Sequence, residues 1–525
     1  MIESFLKLNK QILLKHKSKK FIGLCNRERP ETAIEGSIII SAIANKKKMP
    51  VIIIGDDLYN DINQIFKSFG FNFFFSTSPR KNLFKNLNMF FKAIFETLKS
   101  FFFIKKVGLD NFIKKFYYKD ILLGDLIYDS YVRFDKNFIN PKIDLKLLRI
   151  IFLSCYKTLK MYEFFKNYRI QYLFIHQDCY VNNETIGTRI AYRKNIKVFK
   201  FNSSDRIFLT QAKKFEIKEG FLPINKYFSK KKFNSEFNYS SKKLSNFLKK
   251  RFVGKIKYSY TSARDLTNAN KLAKYFTKKN FIEKIYKKKN FFDKIILFAP
   301  HAFADAPHYF GINFIFRDYY NQFVETIDYI DKNGSENILW LVRPHPSSKI
   351  YGEENIVRDY LDSKNSNIKF CDHNLINTKD LIDICDTVIT GRGTIGLEFA
   401  CYGKKPIIAG SSTYSNFGIA HQCKNKKEYF KLINSFSEIE LSKNQVIFAR
   451  KLLYYIETLY PLKTNNIDNN LIFNDKKKSI TNLLNLKFDK NKPFFTDKFL
   501  KKLKKERFEK QEIYKFFFKN AKFIN

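Results

Sequence analysis

Three loops in the second half of the chain carry residue types that handle phosphate. The first, Leu341-Val342-Arg343-Pro344-His345-Pro346-Ser347-Ser348, follows an apolar strand-like run, and its prolines hold Arg343 and His345 in fixed places. Histidine donates to a phosphate oxygen or protonates a departing one near neutral pH, and arginine offers a bidentate fork. A lone histidine is usually structural, but five of the seven in this chain fall between His301 and His421, which favours a shared role. The second loop, Ala299 to His308, also follows a strand-like run and holds His301, Asp305 and His308 among its prolines. Two histidines and an aspartate could form a triad-like or metal set. No Cys or Glu completes a zinc spacing, so a ligand-contact loop is the better reading.

The third loop, Thr390-Gly391-Arg392-Gly393-Thr394-Ile395-Gly396-Leu397-Glu398, matches G-x-G-x-x-G at Gly391, Gly393 and Gly396. Two observations argue against a dinucleotide. The motif lies late in its α/β segment, and no Asp or Glu between Glu398 and Glu428 is available to hold a ribose hydroxyl. The physical core of the motif survives: glycines let backbone approach a ligand, and the N–H groups of Gly393 and Thr394 aim a helix start at an anion. Glu398, one turn after Thr394, could accept hydrogen bonds from a ribose or sugar. A tight structural turn is the competing reading. In the first half, Asn26 to Gly36 and His176 to Glu184 each follow a strand-like run. Glu31, Glu35, His176 or Asp178 could deprotonate an acceptor hydroxyl there, with a polar surface loop as the blander alternative for each. The chain contains no G-x-S-x-G, no Walker motif and no D-x-D, which counts against serine hydrolase, P-loop and manganese-dependent transferase chemistry.

Elements that could position these loops follow from the apolar pattern. Phe21 to Cys25, a Pro-bearing loop, Ala33 to Ala44 and Val51 to Ile54 make a βαβ unit, and Tyr172 to Phe201 makes another strand–helix–strand stretch. Phe71 to Lys119, rich in Phe and Lys, is expected to be helical. From about Thr210 to Asn290 the pattern decays into a connector. Regular order then resumes, with strands at Lys294 to Phe298, Ile338 to Val342, Thr387 to Thr390 and Pro406 to Ala409. Helices are expected at Phe316 to Ile330, Leu381 to Cys385 and Ile395 to Cys401. Beyond Lys476 the chain is Lys-, Phe- and Leu-rich, and Phe495 to Phe518 could form a basic amphipathic helix.

The composition allows such a fold. With 525 residues, 45% of them hydrophobic, there is material for two or three domains. Lys+Arg 96 against Asp+Glu 50 gives a net charge of +46, which suggests nucleic acid. However, Phe 59 and Tyr 30 beside abundant Lys, Asn and Ile, with only 12 Pro, point to a compositional bias that spreads Lys over the whole chain. No specific nucleic acid is therefore expected. Seven cysteines without a C-x-x-C pair suggest neither disulfides nor zinc. Neither a signal peptide nor a membrane-spanning helix is predicted, since Leu147 to Cys155 is too short and Met89 to Ile104 is broken by charges.

Taken in order, Arg343-Pro344-His345-Pro346, Asp386 to Thr394, Gly396-Leu397-Glu398-Phe399-Ala400 and Tyr402-Gly403-Lys404-Lys405-Pro406 resemble the donor half of two-domain glycosyltransferases. The likeness is greatest to the bacterial capsule and surface polysaccharide biosynthesis family, which includes capsule Kdo transferases. It extends to the CDP-glycerol glycerophosphotransferases, although those typically show an aromatic and paired serines where this chain has Gly391-Arg392-Gly393-Thr394. The specific part runs from Ile295 to Gly410.

The resemblance implies an α/β fold of two Rossmann-like domains facing a cleft (GT-B-like). Residues 1–290 would form the acceptor side, with a connector from about 210, 291–470 the donor side, and 471–525 a basic helical tail. It implies phosphate contacts from His345, Gly393 and Thr394 and a ribose or sugar contact from Glu398; Arg343, Ser347, Gly391 and His301 are further donor- and phosphate-binding candidates from the loops themselves. His345, Asp305, His308 and Asp178 are the catalytic candidates. No metal or cofactor is expected beyond a nucleotide-sugar donor, which is a substrate. The expected partners are a glycan or lipid-linked acceptor and an anionic membrane surface for the segment Phe84 to Lys115 and the tail, in a cytoplasmic or peripherally membrane-bound protein. The alternatives are a glycerophosphotransferase or nucleotide-sugar epimerase of the same fold, or a non-catalytic nucleic-acid or membrane-surface binder.

Overall fold

Short apolar runs that end in polar loops form the strands of two mainly parallel sheets, buried as parallel sheets are. The computed structural model describes residues 18–456, apart from 26–32, 34–35, 38–39, 41–43, 45–46, 57–61, 64–65, 80–85, 177–178, 204–206, 213–239, 253–276, 287–291, 309–312 and a few single positions. Glu31, Glu35, Asp178, Phe84 and the tail beyond Lys476 lie outside the described residues. The chain divides into one unit of residues 1–131, 142–215 and 461–525 and a second of 132–141 and 216–460.

The first unit carries strands β1 (Phe21–Cys25), β2 (Val51–Gly55), β3 (Phe73–Ser76), a small hairpin of β4 (Tyr117–Tyr118) and β5 (Ile121–Leu122), then β6 (Ile170–Ile175), β7 (Lys197–Ser203) and β8 (Ile207–Ala212). Its helices include α1 (Leu87–Val107), α2 (Leu145–Asn167) and α3 (Asn183–Arg193). The main sheet runs β3-β2-β1-β6-β7-β8, parallel except for β8, which turns back along β7. The sequence expectation of helix throughout Phe71 to Lys119 is corrected at β3. A Phe-rich run suits either period, and pairing of Ile52 to Gly55 with Phe73 to Ser76 makes it a strand. The apolar run at Leu147 opens α2, whose Leu147, Ile151, Cys155 and Phe164 are buried in the core. No helix among the described residues is long and apolar enough to cross a membrane.

The second unit contains α4 (Ser241–Phe252), β9 (Lys294–Ala299), α5 (Tyr319–Asn333), β10 (Ile338–Val342), β11 (Lys369–Phe370), β12 (Thr387–Thr390), α6 (Thr394–Ala400), β13 (Ile407–Ile408), β14 (His421–Gln422) and α7 (Lys443–Tyr454). Its sheet is wholly parallel in the order β11-β10-β9-β12-β13-β14. Numbered within the unit this is 3-2-1-4-5-6, the order of doubly wound dinucleotide-binding sheets. α5 begins where Asp318 caps it, its side chain accepting the Asn321 amide at 2.6 Å. α4, which the sequence attaches to the connector, belongs to this unit and packs on α7. All seven cysteines are buried and none is in a disulfide.

A candidate ligand pocket at the switch point of the second sheet

In such a sheet the crossovers from neighbouring central strands leave in opposite directions, which opens a crevice at the strands' C-terminal ends. Here the switch falls between β9 and β12, and a pocket of about 160 Å³ lies there. Every loop leaving the four adjoining strands contributes: Pro300 and His301 after β9, Arg343 to Pro346 after β10, His373 after β11, and Thr390, Gly393 and Thr394 around the end of β12. Glu398 of α6 and Arg251 and Phe252 of α4 complete the lining.

Arg343 is the central cation. It is 4% exposed, and its Nε donates to Nδ1 of His373 at 2.9 Å, while its buried Nη1 has no hydrogen-bond partner. Because His373 Nδ1 accepts, its Nε2 carries the proton and donates to the Pro344 carbonyl at 2.9 Å, which ties the β10 and β11 loops together. Burying a guanidinium without a carboxylate is costly, and two further buried arginines, Arg189 with Asp125 and Arg251 with Glu398, avoid that cost. Arg343 has no carboxylate partner among the described residues, so an anionic ligand would supply its missing counter-charge.

His345 and His301 stand beside it. His345 Nδ1 accepts the Ser347 amide at 3.2 Å, which leaves Nε2 to carry the proton in the neutral ring. His301 stacks on His345 with ring centroids 5.0 Å apart, and on its other side stacks on Tyr319 at 4.3 Å. Burial lowers the His301 pKa, against the pull of Asp305, so a neutral donor and acceptor is its resting form. Asp305 lies 3.8 Å from His301 Nδ1. Burial would raise its carboxyl, but His301, the Ala306 amide, Arg133 and His345 together hold it below the ordinary aspartate range.

The loop bearing His301 is anchored from below by Glu353, a residue missed in the sequence. Its carboxylate accepts the amides of Phe303 at 2.9 Å and Ala304 at 2.6 Å. Burial pushes this carboxyl up to about 7, those two amides and Arg133 pulling down and Asp305 pushing up. In the unfolded chain it titrates near 4.5, so between there and about pH 7 the native state holds a proton that the unfolded chain has lost. Stability from this group is therefore gained as pH falls through that window and lost as pH rises through 7. Glu353→Gln should shrink the difference in unfolding free energy between pH 5 and pH 8 by about 3 kcal/mol, read from denaturant melts of both proteins.

The glycine loop is built for close packing as much as for ligand approach. A Cβ at Gly391 would meet Gln322 Oε1 at 3.0 Å, and one at Gly396 would meet the hydroxyl of buried Tyr414 at 2.2 Å. That hydroxyl donates to the Gly393 carbonyl at 2.7 Å and sets the turn that faces the pocket. Gly396→Ala should cost about 1–3 kcal/mol by overpacking and weaken ligand binding with it; melting temperature and ligand titration on the same sample test both. Gly393, at the start of α6, has no side-chain cap on its helix.

Of the residues singled out in the sequence, His301, Arg343, His345, Gly393, Thr394 and Glu398 are thus brought to one pocket. Asp305 stands behind His301, Ser347 and His308 are buried outside the pocket lining, and Gly391 packs under Tyr319 and Gln322. Glu398 is a partner of Arg251, with both side chains nearly buried, rather than a free acceptor. In the first unit His176 follows β6, where its amide donates to Glu184 at 2.7 Å. Arg251, His373 and Glu353 are the additions; only His373 had a signal, as a member of the histidine cluster. Among the described residues no group of three or more His, Cys, Asp or Glu could hold a metal ion.

No protein-family model matches the chain, and no curated protein matches it. Among solved structures it is similar to two Kdo transferases of Thermosulfurimonas dismutans. One is the KpsC beta Kdo 2,4 transferase, with 12% identity and a TM-score of 0.31 over 54% of this chain and 79% of that one. The other is the KpsC beta Kdo 2,7 transferase, with 18% identity and a TM-score of 0.29 over 66% and 98%. It is also similar to the UDP-GlcNAc 2-epimerase of Neisseria meningitidis bound to UDP-GlcNAc, with 12% identity and a TM-score of 0.23 over 84% and 99%.

Proposed function

We propose that this protein is a cytoplasmic glycosyltransferase that binds a nucleotide sugar in the pocket of its second unit. It passes the sugar to a capsule, lipopolysaccharide or other surface-glycan precursor without a metal ion. The observation that carries the reading is the buried Arg343, without a carboxylate partner among the described residues, beside His345 and His301 at a switch-point crevice. In the reaction an acceptor hydroxyl oxygen attacks the sugar's anomeric carbon, the bond from that carbon to the phosphate oxygen breaks, and the hydroxyl proton leaves to a base. Negative charge then grows on the departing phosphate. Arg343 and the Nε2–H of His345 would stabilise it, and Gly393 and Thr394 line the same pocket.

Thermal shifts with CMP, CDP, UDP and GDP test the pocket, since a ligand of the native state raises stability by mass action. One nucleotide should raise the melting temperature, and His345→Ala and Thr394→Ala should each weaken it by about tenfold to a hundredfold. Wild-type nucleotide-sugar binding in both variants would sink the proposal. Incubation with donor alone separates the epimerase reading, because a transferase leaves the sugar's configuration intact until an acceptor is added.

A further inference from the structure

An ordinary surface helix turns its apolar face inward, and α1 has apolar residues on both faces. At 100° per residue, buried Ala93, Ser100 and Ile104 define the inner face, where α1 packs on α2 and Phe90 meets Phe152 edge-on at 5.1 Å. Directly opposite, Phe91, Phe95, Leu98 and Phe102 are 63%, 59%, 56% and 67% exposed, with Leu87 and Ile94 along the same stripe. Lys92, Lys99 and Lys106 line one shoulder of this stripe and Lys105 lies at its end; the ammonium of Lys99 rests 4.4 Å over the Phe95 ring. Glu96 is the only acid in the helix.

We propose that this outward face of α1 is a docking surface for an anionic lipid bilayer, its aromatic rings entering the interface and its lysines meeting the headgroups. Charge selects the occupant. A second copy of a chain with net charge +46, or the chain's own Lys-rich segment beyond Lys476, would bring lysine against lysine, whereas an anionic bilayer satisfies rings and ammonium groups together. The stripe runs along a single convex helix, which suits a bilayer interface better than a protein's anchoring side chain. This inference is independent of the pocket.

The full chain should float with vesicles of equal parts phosphatidylglycerol and phosphatidylcholine and stay behind with phosphatidylcholine alone. Phe91→Ser/Phe95→Ser/Phe102→Ser should lower the bound fraction about tenfold or more, and Lys92→Glu/Lys99→Glu/Lys106→Glu should abolish the anionic preference, with melting temperatures unchanged because all six side chains are exposed. Phe95→Trp should show emission quenched by brominated lipid, a signal that Trp340, buried in the second unit, does not give. Three results would each overturn the proposal: no flotation, flotation indifferent to the Phe substitutions, or self-association on sedimentation that the Phe substitutions abolish.

Discussion

Arg343→Met should leave the free protein as stable as the natural one, or slightly more stable, while nucleotide-sugar affinity falls by about a hundredfold or more. Two opposed contributions set the stability. Removing the guanidinium leaves His373 Nδ1 without its donor, at a cost of about 1 kcal/mol, but it also removes a buried charge that has no carboxylate among the described residues. Methionine refills most of the volume with flexible apolar atoms. Binding loses a bidentate, charge-assisted contact of about 1.5–3 kcal/mol per hydrogen bond, hence the expected loss. Denaturant melts of the free protein and titration with the nucleotide found by thermal shift give both numbers. An unfolded Arg343→Met protein would mean that the arginine is a structural residue, and unchanged affinity would mean that no anion sits against it. Divergence of stability from binding is the signature of a side chain kept for its ligand.

The residues of this pocket were unequally legible. β9 and β10 are apolar runs and β12 is a β-branched Thr-Val-Ile-Thr, so the loops after them, and with them His301, Arg343, His345 and Thr394, could be placed at one sheet edge from the sequence. β11 and β14 are only two residues long, Lys369–Phe370 and His421–Gln422, and show no run at all; they exist because Leu341 and Val342 on one side and Ile407 and Ile408 on the other offer backbone to pair with. His373 was therefore visible as a histidine but not as the partner of Arg343. The G-x-G-x-x-G match was legible as a motif, but the tight contacts of Gly391 and Gly396 come from Gln322, Tyr319 and Tyr414, side chains remote in sequence. Glu353 gave no signal, because its role lies in two backbone amides about fifty residues earlier, and backbone amides look alike in every sequence.

Glu398→Ala should be the most destabilising single change at the pocket, by about 3–5 kcal/mol, because it strands the Arg251 guanidinium, with both partners less than a tenth exposed. The two residues are 147 apart in the chain, so α4 is tied to α6 through this pair as well as through apolar contact with α7. Replacing both, as Arg251→Met/Glu398→Leu, should recover most of the loss, since a buried ion pair and a well-packed apolar pair of similar volume are often of equal stability. The double variant then isolates the ligand role. If Glu398 also accepts a hydroxyl of the donor, the double variant will melt near the natural protein yet bind the nucleotide sugar more weakly than it binds the bare nucleotide, relative to the natural protein. If the pair is purely structural, both affinities will be preserved. Were Glu398→Ala to melt within about 1 kcal/mol of the natural protein, the pair would be open to water and α4 would be held by α7 alone.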